Sequence, residues 1–166
     1  MTEGRLRAAI AVLSALGAGI AAYLTATHLA HTQVACLTGG CETVQSSRYS
    51  ELAGIPVAAI GLAGYAGLAL SAAFRGDLWR AAGVTMALGG FGFAAYLIWV
   101  QAGVLHAYCQ WCLASDAVLA LLVVATLARA WRGDRPDAAP SRPAPRRSAR
   151  ARGRRAAPPP PRRSTG

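Results

Sequence analysis

Four long apolar runs constrain this sequence more than any other feature. They cover about residues 8–28, 52–74, 81–103 and 109–131. Each has about the 20 residues that an α-helix needs to cross the hydrocarbon core of a bilayer. Because the chain has only 166 residues, of which 54% are hydrophobic, little polar surface is left to cover four such helices in water. The sequence therefore predicts an all-α integral membrane protein, folded as a four-helix bundle.

Two other interpretations of these runs were weighed against membrane-spanning helices. A buried soluble core would need polar cover that residues 8–131 do not supply. The first run follows Arg5 and Arg7 and resembles a secretory signal peptide, but it exceeds the usual apolar segment of about 7–15 residues. Spanning helices remain the favoured interpretation.

The distribution of arginine predicts the orientation of the helices. Arginines precede the first run, lie between the second and third runs, and follow the fourth run from Arg129 onwards. The two intervening segments contain only Arg48. Since positively charged segments stay on the cytoplasmic side, we expect a multi-pass protein of the cell membrane with both termini in the cytoplasm. All four cysteines then lie outside the cytoplasm, where disulfides persist.

Residues 133–166 differ in composition from the rest of the chain. They contain eight of the nine prolines and most of the arginines, and they have no apolar face to bury. We therefore divide the chain into a membrane domain, 1–132, and a disordered cytoplasmic tail, 133–166. Such a tail is expected to associate with anionic membrane lipid. Specific nucleic-acid binding is not expected, because no aromatic residue follows Trp131 to stack on bases.

Cys109 and Cys112 form a CxxC motif at the start of the fourth run. Two intervening residues allow both sulfurs to lie on one side of the first helical turn. Unpaired N–H groups and the macrodipole at a helix N-terminus favour the thiolate of the first cysteine, and a thiolate is the form that attacks disulfides. By itself the motif is also compatible with half of a zinc site or with a structural disulfide.

Cys36 and Cys41 form a second close pair, separated by a segment that contains Gly39 and Gly40. The glycines allow the chain to fold back, so a disulfide here is sterically reasonable. Two pairs on one face of the membrane suggest a relay, in which one pair meets an external partner and the other a component of the bilayer. A four-cysteine zinc site and two inert structural disulfides remain alternatives.

Several short segments together resemble the bacterial homologues of vitamin K epoxide reductase. The resemblance covers about residues 8–131, and the combination is more specific than any one motif. It implies a four-helix bundle that holds a quinone, menaquinone or ubiquinone, beside the CxxC motif. The segments are Cys36…Cys41, Ser46-Ser47-Arg48-Tyr49, Gly54-Ile55-Pro56 and Tyr108-Cys109-Gln110-Trp111-Cys112.

The resemblance also implies a role for each cysteine. Cys109 and Cys112 are the active-site pair, with Cys112 nearest the quinone, and Cys36 and Cys41 form the shuttle pair that receives electrons from a thioredoxin-fold partner. Ser47 matches a serine that lies near the active site of the family. Many bacterial members carry a fused thioredoxin-like domain where this sequence has its Arg- and Pro-rich tail, so we expect a separate, extracytoplasmic DsbA-like partner.

Asp116 and Trp111 are further candidates for contact with the quinone. Asp116 lies four residues after Cys112, one turn deeper on the same helical face, where the animal enzymes have a tyrosine that contacts the quinone. An ionisable residue within a span suggests a function, here proton transfer; a helix-end carboxylate near interfacial water is the alternative. Trp111 fits the interfacial aromatic belt and is also placed to wall the site.

These observations predict an enzyme, a membrane thiol:quinone oxidoreductase that forms protein disulfides outside the cytoplasm. An unrelated bundle of the DsbB type would use the same chemistry, but the Ser-Ser-Arg-Tyr segment favours the first family. The alternative from another class is a non-enzymatic membrane scaffold with two structural disulfides.

Overall fold

The computed structural model of the protein describes residues 2–37 and 39–133. All of the predicted tail except Gly133 lies outside this range. The helices are α1 (Glu3–Leu29), α2 (Cys41–Gln45), α3 (Val57–Ala73), α4 (Asp77–Val100) and α5 (Gln110–Gly133). A π-helical turn, Gln101–Leu105, continues α4.

The four long helices form a ring in which each packs mainly against two neighbours. Helix α1 contacts α3 and α5, and α4 contacts the same two helices. Gly17 of α1 allows one close approach, because a Cβ at that position would overlap the ring of Tyr65 on α3. Small residues at such contacts are typical of helices that pack in lipid. The buried core consists of Ile10, Ala21, Tyr65, Leu68, Ala72, Ala87 and Leu122.

Three helical segments of the described chain are long and apolar enough to cross a membrane. They are Glu3–Leu29, Asp77–Leu105 and Gln110–Arg132. Large apolar side chains on their outer faces are well exposed, with Val12 at 60% and Val124 at 66%. Exposed apolar surface of this kind suits contact with lipid rather than water.

The second predicted run differs from the expectation. Helix α3 has 17 residues and is therefore about 26 Å long, slightly less than the roughly 30 Å of a hydrocarbon core. The prediction that it begins near residue 52 is wrong, because Glu51–Leu52 and Ile55–Pro56 pair as a short antiparallel hairpin. Ala53 and Gly54 form its turn, with φ of +52° and +80°. The fold is thus helical apart from this hairpin.

Arginines from α1 and α5 donate hydrogen bonds to the carbonyls at the C-terminal end of α3. The guanidinium of Arg129, on α5, is 2% exposed and donates to the carbonyl oxygens of Ser71 and Phe74, each at 2.8 Å. Arg7 of α1 donates to the carbonyl oxygen of Ala72 at 2.7 Å. The last carbonyls of a helix have no partner within it, so these bonds fix the end of α3 that lies away from the cysteines.

Candidate functional site

The CxxC motif lies at the start of α5. Cys109 directly precedes the helix and Cys112 is in its first turn, so the predicted placement at a helix N-terminus is confirmed. Both are free cysteines, and the N–H of Cys112 donates to Sγ of Cys109 at 3.3 Å. Hydrogen bonds from the Cys112 thiol and from the N–H groups of Cys112 and Trp111 lower the pKa of Cys109 to about 7 despite its burial. These hydrogen bonds favour the thiolate form of Cys109.

Gln101 holds the backbone that leads into this motif. Its side chain is 2% exposed, and its Oε1 accepts a hydrogen bond from the N–H of Cys109 at 2.8 Å. Gln101 is also the first residue of the π-helical turn, which ends at His106 with a left-handed φ of 51°. Turns of this kind are rare and are frequently found at functional sites.

The shuttle loop, residues 35–41, contains the second cysteine pair. Cys36 and Cys41 are joined by a disulfide with a Cα–Cα distance of 6.0 Å, as the sequence allows. Cys41 is fully buried and begins α2, while Leu37, next to Cys36, is 95% exposed. Gly39 adopts a φ of +75° within the loop, a conformation that glycine tolerates without strain.

The shuttle loop lies directly against the CxxC segment. Gly40 packs on the backbone of Tyr108, where an added Cβ would be 2.6 Å from the carbonyl oxygen. The N–H of Leu37 donates to Oε1 of Gln110 at 3.1 Å. These contacts bring the two cysteine pairs together, although they are far apart in the sequence.

An apolar cavity of about 390 Å³ borders the CxxC motif from within the bundle. Cys112 is among its lining residues, and Cys109 is not. Half of the lining residues come from α3 and α4, and they include Gly61, Gly64 and Phe93. A Cβ on either glycine would meet nothing within 4 Å, so both leave open space along the cavity. Small-molecule sites in proteins have volumes of about 300–1,000 Å³.

A few polar side chains line this otherwise apolar cavity. Oδ2 of Asp116 is buried and has no hydrogen-bond partner among the described residues. The hydroxyl of Ser47 donates to the carbonyl oxygen of Val44 at 2.7 Å, so its oxygen can still accept a bond. Deeper in the bundle, the hydroxyls of Tyr65 and Ser115 are 2.7 Å apart. Apolar walls with a few convergent polar groups are the usual composition of a ligand site.

A second cavity, polar and about 740 Å³ in volume, adjoins the apolar one. Residues from the end of α1, from α2 and from the hairpin segment line it. Gln45, Ser47 and Ser50 border both cavities. Water can therefore approach the apolar cavity from the end of the bundle that carries the cysteines.

Trp111 contacts the shuttle loop and is not among the residues that line the apolar cavity. Its indole N–H donates to the carbonyl oxygen of Ala35 at 2.7 Å. Its ring packs on Tyr23 of α1 with a centroid distance of 5.2 Å. This position favours a role in holding the loop over the expected role as a wall beside the quinone.

The structure also brings residues to the site that the sequence analysis missed. Gln101, Tyr65 and Ser115 all line the cavity. Gln101 had a usable signal, because a glutamine at the end of an apolar run is an uncommon polar residue at membrane depth. Tyr65 and Ser115 had none, since a tyrosine or serine in a membrane helix is often a simple packing residue.

At one end of an apolar helical bundle, a loop that holds a disulfide lies against a CxxC segment whose Cys112 borders an apolar cavity. This arrangement suits the class of membrane proteins that exchange disulfides. The chain belongs to the vitamin K epoxide reductase family, whose model matches residues 8–127. Membership makes it an oxidoreductase of a family that is quinone-linked and that generally works with thioredoxin-like partners.

The cavity of this chain fits a quinone. Its apolar walls suit an apolar ring and tail, and the orphaned Oδ2 of Asp116 provides a polar atom that lacks a partner within the described residues. Ser47 and Cys112 border the same space. A quinone supplies an acceptor for two electrons and two protons when it is bound there.

Proposed function

We propose that the protein is a thiol:quinone oxidoreductase that generates protein disulfides outside the cytoplasm. One observation carries the proposal: the CxxC motif lies between the shuttle loop on one side and the apolar cavity on the other. That arrangement provides a thiol-exchange partner and an apolar ligand site at the same pair of sulfurs.

In the proposed cycle, two thiols of a separate thioredoxin-fold partner reduce the Cys36–Cys41 disulfide, and the partner leaves with a new disulfide. The Cys36–Cys41 dithiol then reduces a Cys109–Cys112 disulfide through a mixed disulfide. Cys109 and Cys112 finally close their disulfide again by giving two electrons and two protons to the acceptor in the cavity. The net change is oxidation of the partner dithiol to a disulfide, coupled to reduction of the acceptor by two electrons and two protons.

Three residues of the cavity have distinct proposed roles. Cys112 faces the acceptor because it lines the cavity, whereas Cys109 exchanges with the shuttle pair. Asp116 supplies or takes up a proton through its unpartnered Oδ2. Ser47 provides a hydroxyl next to the reacting groups, on the side where the polar cavity adjoins.

The proposed orientation places the cysteine end of the bundle outside the cytoplasm. The arginines at the N-terminus, in the α3–α4 connection and after Arg129 support it. In reduced intact cells, a membrane-impermeant thiol reagent should label Cys36, while a cysteine introduced by Ser141→Cys should stay protected. Labelling at position 141 with protection of Cys36 would reverse the orientation.

The decisive test is purified full-length protein incubated with a reduced thiol and either menaquinone or ubiquinone, with quinone absorbance as the readout. We expect the absorbance to change with formation of one thiol disulfide per quinone reduced. Cys112→Ala is the matched control and should abolish the change. A protein that retains its biological activity without both cysteine pairs would instead be the membrane scaffold.

A further inference from the structure

We propose that Gln101 is bifunctional: its amide oxygen positions Cys109, and its amide NH₂ group donates a hydrogen bond to an oxygen of the ligand in the apolar cavity. The inference rests on the proposed function, because it takes that ligand to be a quinone. It assigns a role to a residue that contacts both the CxxC motif and the apolar cavity.

The orientation of the amide follows from its partner. The N–H of Cys109 is a donor, so the atom that faces it at 2.8 Å must be the amide oxygen of Gln101. The NH₂ group is then directed away from Cys109. Among the described residues, the bond to Cys109 is the only hydrogen bond that this side chain makes.

The surroundings of Gln101 leave the cavity as the place for a partner. Gln101 lines the apolar cavity together with Cys112, and its residue is only 2% exposed. The amide NH₂ group has no hydrogen-bond partner among the described residues, and a ligand carbonyl in the cavity would supply one. The NH₂ group would also stabilise negative charge that develops on that oxygen as electrons arrive.

The backbone around Gln101 is built to hold this position. The π-helical turn begins at Gln101, and the N–H of Ala107 returns to its carbonyl oxygen at 3.1 Å. The turn is closed by His106 in the left-handed region, which is costly for a residue other than glycine. The π-turn and His106 form the segment between Gln101 and Cys109, and the amide bond joins the two ends of that segment.

The experiment compares Gln101→Met with Gln101→Glu in the full-length protein, with dithiothreitol as the thiol and a short-chain ubiquinone as the acceptor. Methionine removes both the acceptor and the donor, so kcat/KM for the quinone should fall about tenfold or more at every pH. Glutamate keeps the acceptor and regains an O–H donor only when protonated. Its activity relative to the unmodified protein should therefore rise several-fold as the pH is lowered from about 8 to about 5.

A second readout needs no quinone. The rate at which a small reagent alkylates Cys109 should change several-fold in Gln101→Met, because the N–H of Cys109 loses its acceptor. At low pH the rate in Gln101→Glu should stay within about twofold of the unmodified protein. Gln33→Met, an exposed glutamine outside the site, is the matched control and should leave both readouts unchanged.

Two results separate the inference from the proposed function. Identical pH profiles for Gln101→Glu and Gln101→Met, with an unchanged KM for the quinone, would overturn the donor role of Gln101 alone. An unmodified protein that reduces no quinone would overturn the proposed function, and the ligand of Gln101 with it.

Discussion

Gly40 lies against the backbone of Tyr108, and each of these two residues directly precedes a cysteine. An added Cβ on Gly40 would be 2.6 Å from the carbonyl oxygen of Tyr108 and 2.8 Å from its nitrogen. Backbone atoms cannot move aside as the end of a flexible side chain can. The contact between the shuttle loop and the CxxC motif therefore requires glycine at position 40.

We expect Gly40→Ala to slow electron transfer between the two cysteine pairs. The added methyl group must push the shuttle loop away from Tyr108, and a displacement of about 1 Å can reduce a positioned reaction as much as 100-fold. Turnover with a protein partner should fall roughly tenfold, while reduction of quinone by dithiothreitol is retained. Gly19→Ala, which meets no atom within 4 Å, is the control, and equal turnover in both variants would argue against the contact.

The cysteine pairs should divide the reaction between them. Cys109→Ala or Cys112→Ala should abolish quinone reduction by any thiol, because the pair beside the cavity is lost. Cys36→Ala or Cys41→Ala should abolish turnover with a protein partner but allow slow reduction by a small thiol that reaches the CxxC motif directly. Normal partner turnover in the loop variants would make the loop disulfide structural.

The pKa of Cys109, measured by titration, should depend on its hydrogen bond with Cys112. A lowered pKa means that the thiolate is present above the pKa and is lost as the pH falls through it, so the reactivity of Cys109 should drop below about pH 7. Ultraviolet absorbance of the thiolate, in protein whose Cys36 and Cys41 are serine, gives the midpoint. Cys112→Ala removes the largest cause and should move the midpoint upward; an unmoved midpoint would contradict the assignment.

Ser47→Ala should lower the rate of quinone reduction roughly tenfold or more with the fold intact. To donate to a reacting group, the Ser47 hydroxyl must give up its bond to the carbonyl oxygen of Val44. A positioned donor in a dry site is worth about 10²–10³ in rate, and both this exchange and access to water from the adjoining polar cavity reduce that figure. Ser46→Ala is the neighbouring control, because Ser46 borders only the polar cavity. Equal rates in the two variants would remove Ser47 from the chemistry.

Asp116→Asn should slow quinone reduction without changing thiol exchange with the partner. Asparagine keeps the shape of the side chain and removes the ionisable proton. Single-turnover kinetics resolve the two half-reactions, and solvent exchange into D₂O should slow only the quinone step. If quinone reduction is unchanged in the variant, Asp116 is a helix-end carboxylate without a role in proton transfer.

The mostly helical, membrane-spanning character of the chain was predictable, because apolar runs of fixed length leave a strong one-dimensional signal, and three of the four runs form helices long enough to cross a membrane. The apolar run placed the start of α3 at Leu52, five residues before the helix begins at Val57. Hydropathy cannot distinguish the two structures, because Leu52 and Ile55 are apolar residues that fit a hairpin and a helix equally well. The turn at Ala53–Gly54 depends on backbone conformation, which hydropathy does not report.

The site was predictable only in part, for a related reason. The family motif identified Cys112 and Ser47, and the place of an ionisable residue within a span identified Asp116; all three line the cavity. The contact of Gly40 with Tyr108 joins segments far apart in the chain, and no local pattern specifies it. Trp111 is a case in which the motif was less informative than the tertiary packing. Its place in the motif suggested contact with the quinone, whereas its indole N–H donates to Ala35 in the shuttle loop.

The closure of α3 by Arg129 has a consequence for the biogenesis of the protein. Arg129 belongs to the last of the described helices to leave the ribosome, and the carbonyls to which it donates lie at the end of α3, the second of the four long described helices. During insertion, the carbonyls at the end of α3 therefore lack the hydrogen bonds from Arg129 until α5 has entered the membrane. Chains truncated before Arg129 should be recognised and degraded by membrane quality control even though they contain both cysteine pairs.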